Sequence, residues 1–313
     1  MKIAVIGANG QLGSDLVVAY SENGDAVSRL THADIEISDL HSVSHALEAI
    51  RPEVVVNTAA MHHVENCERE PEKAFADNAL GPRNLALVAR DLGAVLMHVS
   101  TDYVFDGTKG SPYLEEDNPR PLNAYGIGKL AGEHFVRATT PKHFVIRTSG
   151  LYGKSPCRAK GGLNFIELML KLAKERGEVR VVDSEVVSPT STAELAQQMV
   201  LLSHSDCYGL YHATAEGSCS WYEFAREIFT ITDTPVRLIV AAPDEFPAKV
   251  ARPKYSVLEN RALKSRGLNA FKPWQDALHK YLGNRITSTS PQICTAGQSG
   301  NKSASRIAGN GEE

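Results

Sequence analysis

The chain has 313 residues, 42% of them hydrophobic and 22% charged, with a formal net charge of -4. That length allows one large core or a large and a small one, and a slightly acidic chain with scattered Lys and Arg has no basic stripe for nucleic acid, so a small-molecule ligand is expected. Five cysteines (Cys67, Cys157, Cys207, Cys219, Cys294) with no C-x-x-C pair argue against a disulfide framework or a zinc site, and no apolar run approaches the about twenty residues of a membrane span; a cytoplasmic protein is expected.

Ile3 to Ile6 is a continuous apolar run ending at glycine, which predicts a short buried strand over Lys2 to Ile6. Gly7-Ala8-Asn9-Gly10-Gln11-Leu12-Gly13 follows, then Leu16, Val17 and Tyr20 at helical spacing. A glycine turn between a strand and a helix is the setting in which backbone N-H groups and the helix amino end hold a pyrophosphate. Gly7, Asn9, Gly10, Gln11, Leu12 and Gly13 are therefore cofactor-binding candidates. Ala26 to Leu30 is expected as the second strand, whose tip would carry an acidic residue in an NAD site. It reads Arg29-Leu30-Thr31-His32 instead, with Asp34 and Glu36 later. Arg29 and His32 suit a 2'-phosphate, a polar loop explains them equally well, and the choice of NADPH or NADH stays open; Arg29 and Glu36 are carried as candidates. Asp39 is expected to cap a helix bearing Val43, Ala46, Leu47 and Ile50 inward.

The third strand, Val54 to Val56, ends in Asn57-Thr58-Ala59-Ala60, where small residues leave room for a flat ligand and make Ala59 and Ala60 pocket candidates. His62 and His63 are adjacent and so diverge on a helix; no metal is expected there. A helix is expected to open at Asp77-Asn78, with Leu80, Leu85, Val88, Ala89 and Leu92 inward, Asn78 facing either the site or a cap. The fourth strand, Ala94 to Val99, ends in Ser100-Thr101-Asp102-Tyr103, hydroxyls at the position where open parallel sheets bind ligands. Residues 108–123 read as a cover over the site.

Tyr125 and Lys129 stand four apart at the start of the next helix, aiming a phenol and an ammonium from one face. A cation beside a phenol favours the phenolate, so the pair suits proton transfer, and Thr101 is close enough in the fold to share a carbonyl oxygen with Tyr125. Phe165 to Ala173, Leu195 to Leu202, Trp221 to Phe229 and Trp274 to Leu282 read as helices and Val179 to Val182 as a strand; Trp221 and Phe224 are expected in the core. Arg252 suits either phosphate oxygens or an ion pair.

The glycine turn, Ser100-Thr101-Asp102-Tyr103-Val104-Phe105, Tyr125-Gly126-x-x-Lys129 and Arg147-Thr148-Ser149 together resemble the dTDP-4-dehydrorhamnose reductase family of extended short-chain dehydrogenase/reductases. The resemblance continues through Gly162-Leu163-Asn164-Phe165, Ser188-Pro189-Thr190, Ser220-Trp221-Tyr222-Glu223 and Ala251-Arg252-Pro253, covering about residues 1 to 283. It implies an α/β fold, a Rossmann-like doubly wound parallel sheet with a smaller α/β substrate-binding lobe. Residues 1–150 would form the dinucleotide-binding domain, with segments from 180–215 returning to it, 151–283 mainly the lobe, and 284–313 a disordered tail. It implies reduction of a nucleotide-linked 4-keto-6-deoxy sugar by NADPH or NADH, with Thr101, Tyr125 and Lys129 catalytic, Tyr125 and Lys129 also touching the cofactor, and Asp102, Tyr103, Asn164 and Arg252 on the substrate. The chain has Gly150 where the family usually has tryptophan and Ser184-Glu185-Val186-Val187 where it has Asp-Gln-x-Gly, both on the substrate side. An epimerase or dehydratase of the same fold, or a non-catalytic regulatory subunit, are the rival readings, and a homodimer is compatible with all of them.

Overall fold

A computed structural model describes residues 1–156, 161–242, 245–246 and 249–289. The first half alternates strand and helix: β1 (Lys2–Ile6), α1 (Gln11–Glu22), β2 (Ala26–Leu30), α2 (Leu40–Ile50), β3 (Val54–Asn57), α3 (Val64–Arg69), α4 (Pro71–Phe75), α5 (Gly81–Leu92), β4 (Val95–Thr101), α6 (Ala124–Thr139) and β5 (His143–Thr148). The second half contributes β6 (Leu151–Tyr152), α7 (Phe165–Arg176), β7 (Glu178–Val181), β8 (Val186–Val187), β9 (Thr190–Ser191), α8 (Thr192–Ser203) and β10 (Gly209–His212). It ends with β11 (Cys219–Ser220), α9 (Trp221–Ile231), β12 (Arg237–Val240), α10 (Arg261–Ser265) and α11 (Trp274–Thr289).

Six strands form one parallel sheet in the order β10-β5-β4-β3-β1-β2. Helices cover both faces, which is why β1 and β3 are apolar without alternation and Ile3 to Ile6 are all buried. On one face Ile3, Val5, Leu16, Tyr20, Leu195 and Met199 share a core. On the other, Ala4, Ile6, Leu47, Leu85, Val88 and Val136 do so. A separate core of Tyr152, Ile166, Phe224, Ile228, Trp274 and Leu278 holds the smaller lobe together.

Strand β10 pairs with β5, placing Leu210 opposite Val145, and Leu195, Ala196 and Met199 of α8 join the core that carries α1. Leu263 and Phe271 join that same core, so residues beyond 215 also pack on the sheet.

Three expectations are corrected. The helix before β4 begins at Pro71 rather than Asp77, runs through a π-helical turn at Ala76–Leu80, and leaves Leu80 exposed. Asn78 explains the turn: its amide accepts from Met61 N at 2.9 Å and donates to Met61 O at 2.9 Å, so the wider coil aims a side chain at a loop backbone that needs both partners. The segment 108–123 does not line the cleft. Tyr113 stacks on Phe105 with ring centroids 4.1 Å apart, and Glu115 accepts from the backbone N-H of His212 and Ala262, so this loop clamps the end of β10. Finally, α11 continues to Thr289, past the expected helix end at Leu282 and into the expected tail; residues 290–313 of that tail lie outside the described residues. No helix among the described residues is long and apolar enough to cross a membrane.

Candidate active site

A cleft of about 610 Å³ opens at the carboxyl ends of β1, β3, β4 and β5. At one end is the turn between β1 and α1, where Gly7 has φ +78° and a Cβ on Gly13 would lie 2.1 Å from Gly7 O. Only a residue without a side chain lets α1 come this close to β1. Gly10 caps α1 without any side-chain hydrogen bond, so the helix amino end faces the cleft uncovered, as anion binding requires. Asn9, Gln11, Leu12, Ala59 and Ala60 line the same end. The residues present therefore fit a dinucleotide. Arg29 and Glu36 do not line the cleft; Arg29 is exposed, and Glu36 accepts from Ser38 and lies 3.4 Å from His32.

The helix α6 delivers the phenol and the ammonium. Asn123 caps it by accepting from Gly126 N at 2.9 Å. Gly126 and Gly132 let it lie flat: a Cβ on either would sit 2.3 Å from a backbone oxygen, of Tyr103 and Asn78 respectively. One turn beyond Lys129, Glu133 forms a buried ion pair with Arg147 of β5 at 2.7 Å and accepts from Ser100 Oγ at 2.5 Å. Breaking such a pair leaves an uncompensated buried charge costing about 3–5 kcal/mol, so α6 is held firmly against β4 and β5.

Thr101 and Tyr125 do converge. Both side chains line the middle of the cleft, and the Tyr125 ring packs edge-on against Tyr103, the residue two beyond Thr101, at 5.9 Å. Thr101 Oγ1 donates to Asp102 Oδ1 at 3.0 Å and accepts from Tyr103 N at 3.2 Å. A hydroxyl has one hydrogen, so in the free protein the Thr101 hydrogen is committed to Asp102. Asp102 is buried and accepts two further hydroxyls, from Ser149 at 2.8 Å and Ser256 at 2.5 Å. Burial raises its carboxyl above the usual range, against the pull of those three hydroxyls.

Lys129 differs from expectation. Its Nζ donates to Val99 O at 2.6 Å, and burial lowers its pKa to about 8, with Glu133 opposing. Burial also pushes the Tyr125 phenol well above its ordinary range, the Thr101 contact opposing, while the charges of Asp102 and Cys67 push the same way. In the free protein the phenol is therefore protonated, and the expected bias toward phenolate is outweighed by desolvation.

The substrate-side residues divide. Tyr103 lines the cleft. Asn164 also lines it, but its amide is committed: it caps α7 through Glu167 N at 3.0 Å and donates to Gly153 O at 3.0 Å. Arg252 pairs with Glu65 at 2.5 Å across the cleft. Residues not carried as site candidates also stand here: Glu65, Ser149, Ser256, Phe165 and Trp221, together with Glu185 of the run already placed on the substrate side. Ser149 was within reach, being two residues past a buried arginine at a strand end; Ser256 comes from 154 positions beyond Asp102 and leaves no local signal.

A parallel sheet with a glycine turn at one end of the cleft and a Thr-Tyr-Lys group in its middle defines an extended short-chain dehydrogenase/reductase. The sequence profile of the RmlD substrate binding domain matches residues 1–286, and the chain belongs to that family. It is 40% identical over 288 residues to the spore coat polysaccharide biosynthesis protein SpsK of Bacillus subtilis, covering 92% of this chain and 99% of that one. A solved dTDP-4-dehydrorhamnose reductase from Clostridium acetobutylicum is 38% identical, with a TM-score of 0.87, over 91% of this chain and 100% of that one. The dTDP-4-dehydrorhamnose reductase of Bacillus anthracis, solved in complex with NADP, is 37% identical, with a TM-score of 0.86, over 90% and 99%.

Proposed function

We propose that this protein reduces the keto group of a dTDP-linked 4-keto-6-deoxy sugar, of the dTDP-4-dehydrorhamnose type, with NADPH or NADH. The observation that carries the reading is the convergence of Thr101, Tyr125 and Lys129 in one cleft whose other end is an uncovered helix amino terminus. The names of the similar reductases and the NADP bound to one of them support it.

A bound nicotinamide supplies the hydride that reduces the carbonyl carbon. The backbone N-H groups of Gln11 to Gly13 would hold the pyrophosphate, that of Gly10 being donated to Gly7 O. The carbonyl oxygen enters between Thr101 and Tyr125, and the Tyr125 proton goes to that oxygen as its charge develops. Thr101 grips the same oxygen by turning its one hydrogen from Asp102 to it, with Asp102 still held by Ser149 and Ser256. A phenol kept protonated by burial suits this direction of reaction, because it is a donor that is needed. Lys129 would hold the nicotinamide ribose and stabilise the phenolate left behind. Asp102 is a positioning group on this account, and Tyr103 and Arg252 meet the substrate, Arg252 through its phosphates.

The test is loss of NADPH absorbance with dTDP-4-dehydrorhamnose or dTDP-4-keto-6-deoxyglucose. Turnover of at least one is expected; no turnover with either, in protein shown to bind NADPH, contradicts the reading.

A further inference from the structure

We propose that Phe165 and Trp221 form the seat of the pyrimidine base of the nucleotide-linked substrate. This rests on the reductase reading above and names a contact that reading does not need. Phe165 and Trp221 are the first residues of α7 and α9, and both helices start at the cleft behind complete capping boxes, at Asn164 with Glu167 and at Ser220 with Glu223. The two rings meet with centroids 4.7 Å apart and planes inclined by 38°. Beneath them Phe224 is fully buried, 5.7 Å from Phe165 and 6.3 Å from Trp221. The platform is thus rigid from below, while both rings remain half-buried with surface in the cleft.

Helical spacing alone sends Trp221 into the core. The structure sends Trp274 there instead, at 6% exposure, and turns Trp221 toward the cleft beside Val187, the two segments being joined by pairing of β8 with β11. An aromatic, flat wall on the lobe side of the cleft suits a flat ligand part, and a base is the flat part of a nucleotide sugar. The wall lies on the lobe that lacks the glycine turn, so it does not duplicate the cofactor's anchoring. Arg252 and Lys129 are the only Lys or Arg among the described residues lining the cleft, and Arg252 is the one on the lobe side for a diphosphate between base and sugar.

The experiment uses the full chain and thymidine diphosphate as probe, with binding followed by tryptophan fluorescence and by calorimetry. Thymidine diphosphate is expected to quench the parent. Trp221→Leu is expected to weaken its binding roughly 5- to 150-fold, the range for loss of one base-aromatic stack. Trp221→Phe should restore most of it. KM for the keto sugar should rise in parallel in Trp221→Leu while kcat stays within about 3-fold, as for a contact made equally in ground and transition states. Unchanged NADPH affinity in both variants reports an intact fold. The proposal is overturned if Trp221→Leu binds thymidine diphosphate as tightly as the parent, or loses NADPH affinity instead. A parent that neither binds thymidine diphosphate nor reduces a dTDP-keto sugar removes the reductase reading, and this seat with it.

Discussion

At the scale of single residues the site is a contest between burial and hydrogen bonding, and burial decides the resting protonation states. Tyr125 stays a donor, and Lys129 is poised near neutrality with a pKa of about 8, facing Glu133, which favours its charge, and a neutral His98, whose own pKa burial drives well down. The sign follows directly: as pH rises through about 8, Lys129 loses its proton in the folded chain. NADPH affinity is therefore expected to fall above about pH 8, and Lys129→Met to remove that dependence; a flat titration in the parent across this range contradicts the assignment. Because the folded pKa lies below the unfolded value of 10.5, stability rises with pH between about 8 and 10.5, where the unfolded chain holds a proton the folded one has lost, and the cost of the buried ammonium is complete below about 8. Residue identity made Thr101, Tyr125 and Lys129 legible from sequence. The direction of Lys129 toward Val99 O was not, since it depends on the depth at which α6 lies against β4.

At the scale of elements, β1, its turn and α1 were readable because a continuous apolar run, spaced glycines and a 3.6-residue stripe each require one local structure. The sequence pattern also contains the reason the turn tolerates no substitution. Gly13→Ala places a methyl against Gly7 O, a backbone atom that cannot rotate away, so α1 must shift from β1. The expected outcome is a loss of about 1–3 kcal/mol in stability and at least about 10-fold in NADPH affinity, measured by thermal melting and by cofactor fluorescence. Parent-like affinity would mean the turn does not hold the pyrophosphate. The Ala76–Leu80 π turn escaped sequence reading because its cause is a bond from Asn78 to Met61, 17 positions away, and the loop 108–123 was misplaced because its anchor, Tyr113 on Phe105 and Val257, is tertiary.

At the scale of the whole molecule the two halves interleave. Strand β5 is covered at its edge by β10, and the face of α1 by α8, both from beyond residue 190. We therefore propose that residues 1–150 are not an independent folding unit: a fragment of this length is expected to aggregate or to lack dispersed amide resonances and NADPH binding. A soluble, cooperatively melting fragment that binds NADPH would contradict this. The cleft follows from the same interleaving, since Ser256 must return from the far end of the chain to reach Asp102, and Arg252 to reach Glu65.

The most direct measurement is the single-turnover rate of keto-sugar reduction by Tyr125→Phe, with saturating NADPH and its affinity determined in the same preparation. The account predicts a rate roughly 100-fold or more below the parent with NADPH affinity nearly unchanged. A Phe variant that reduces the sugar as fast as the parent would show that the proton comes from elsewhere.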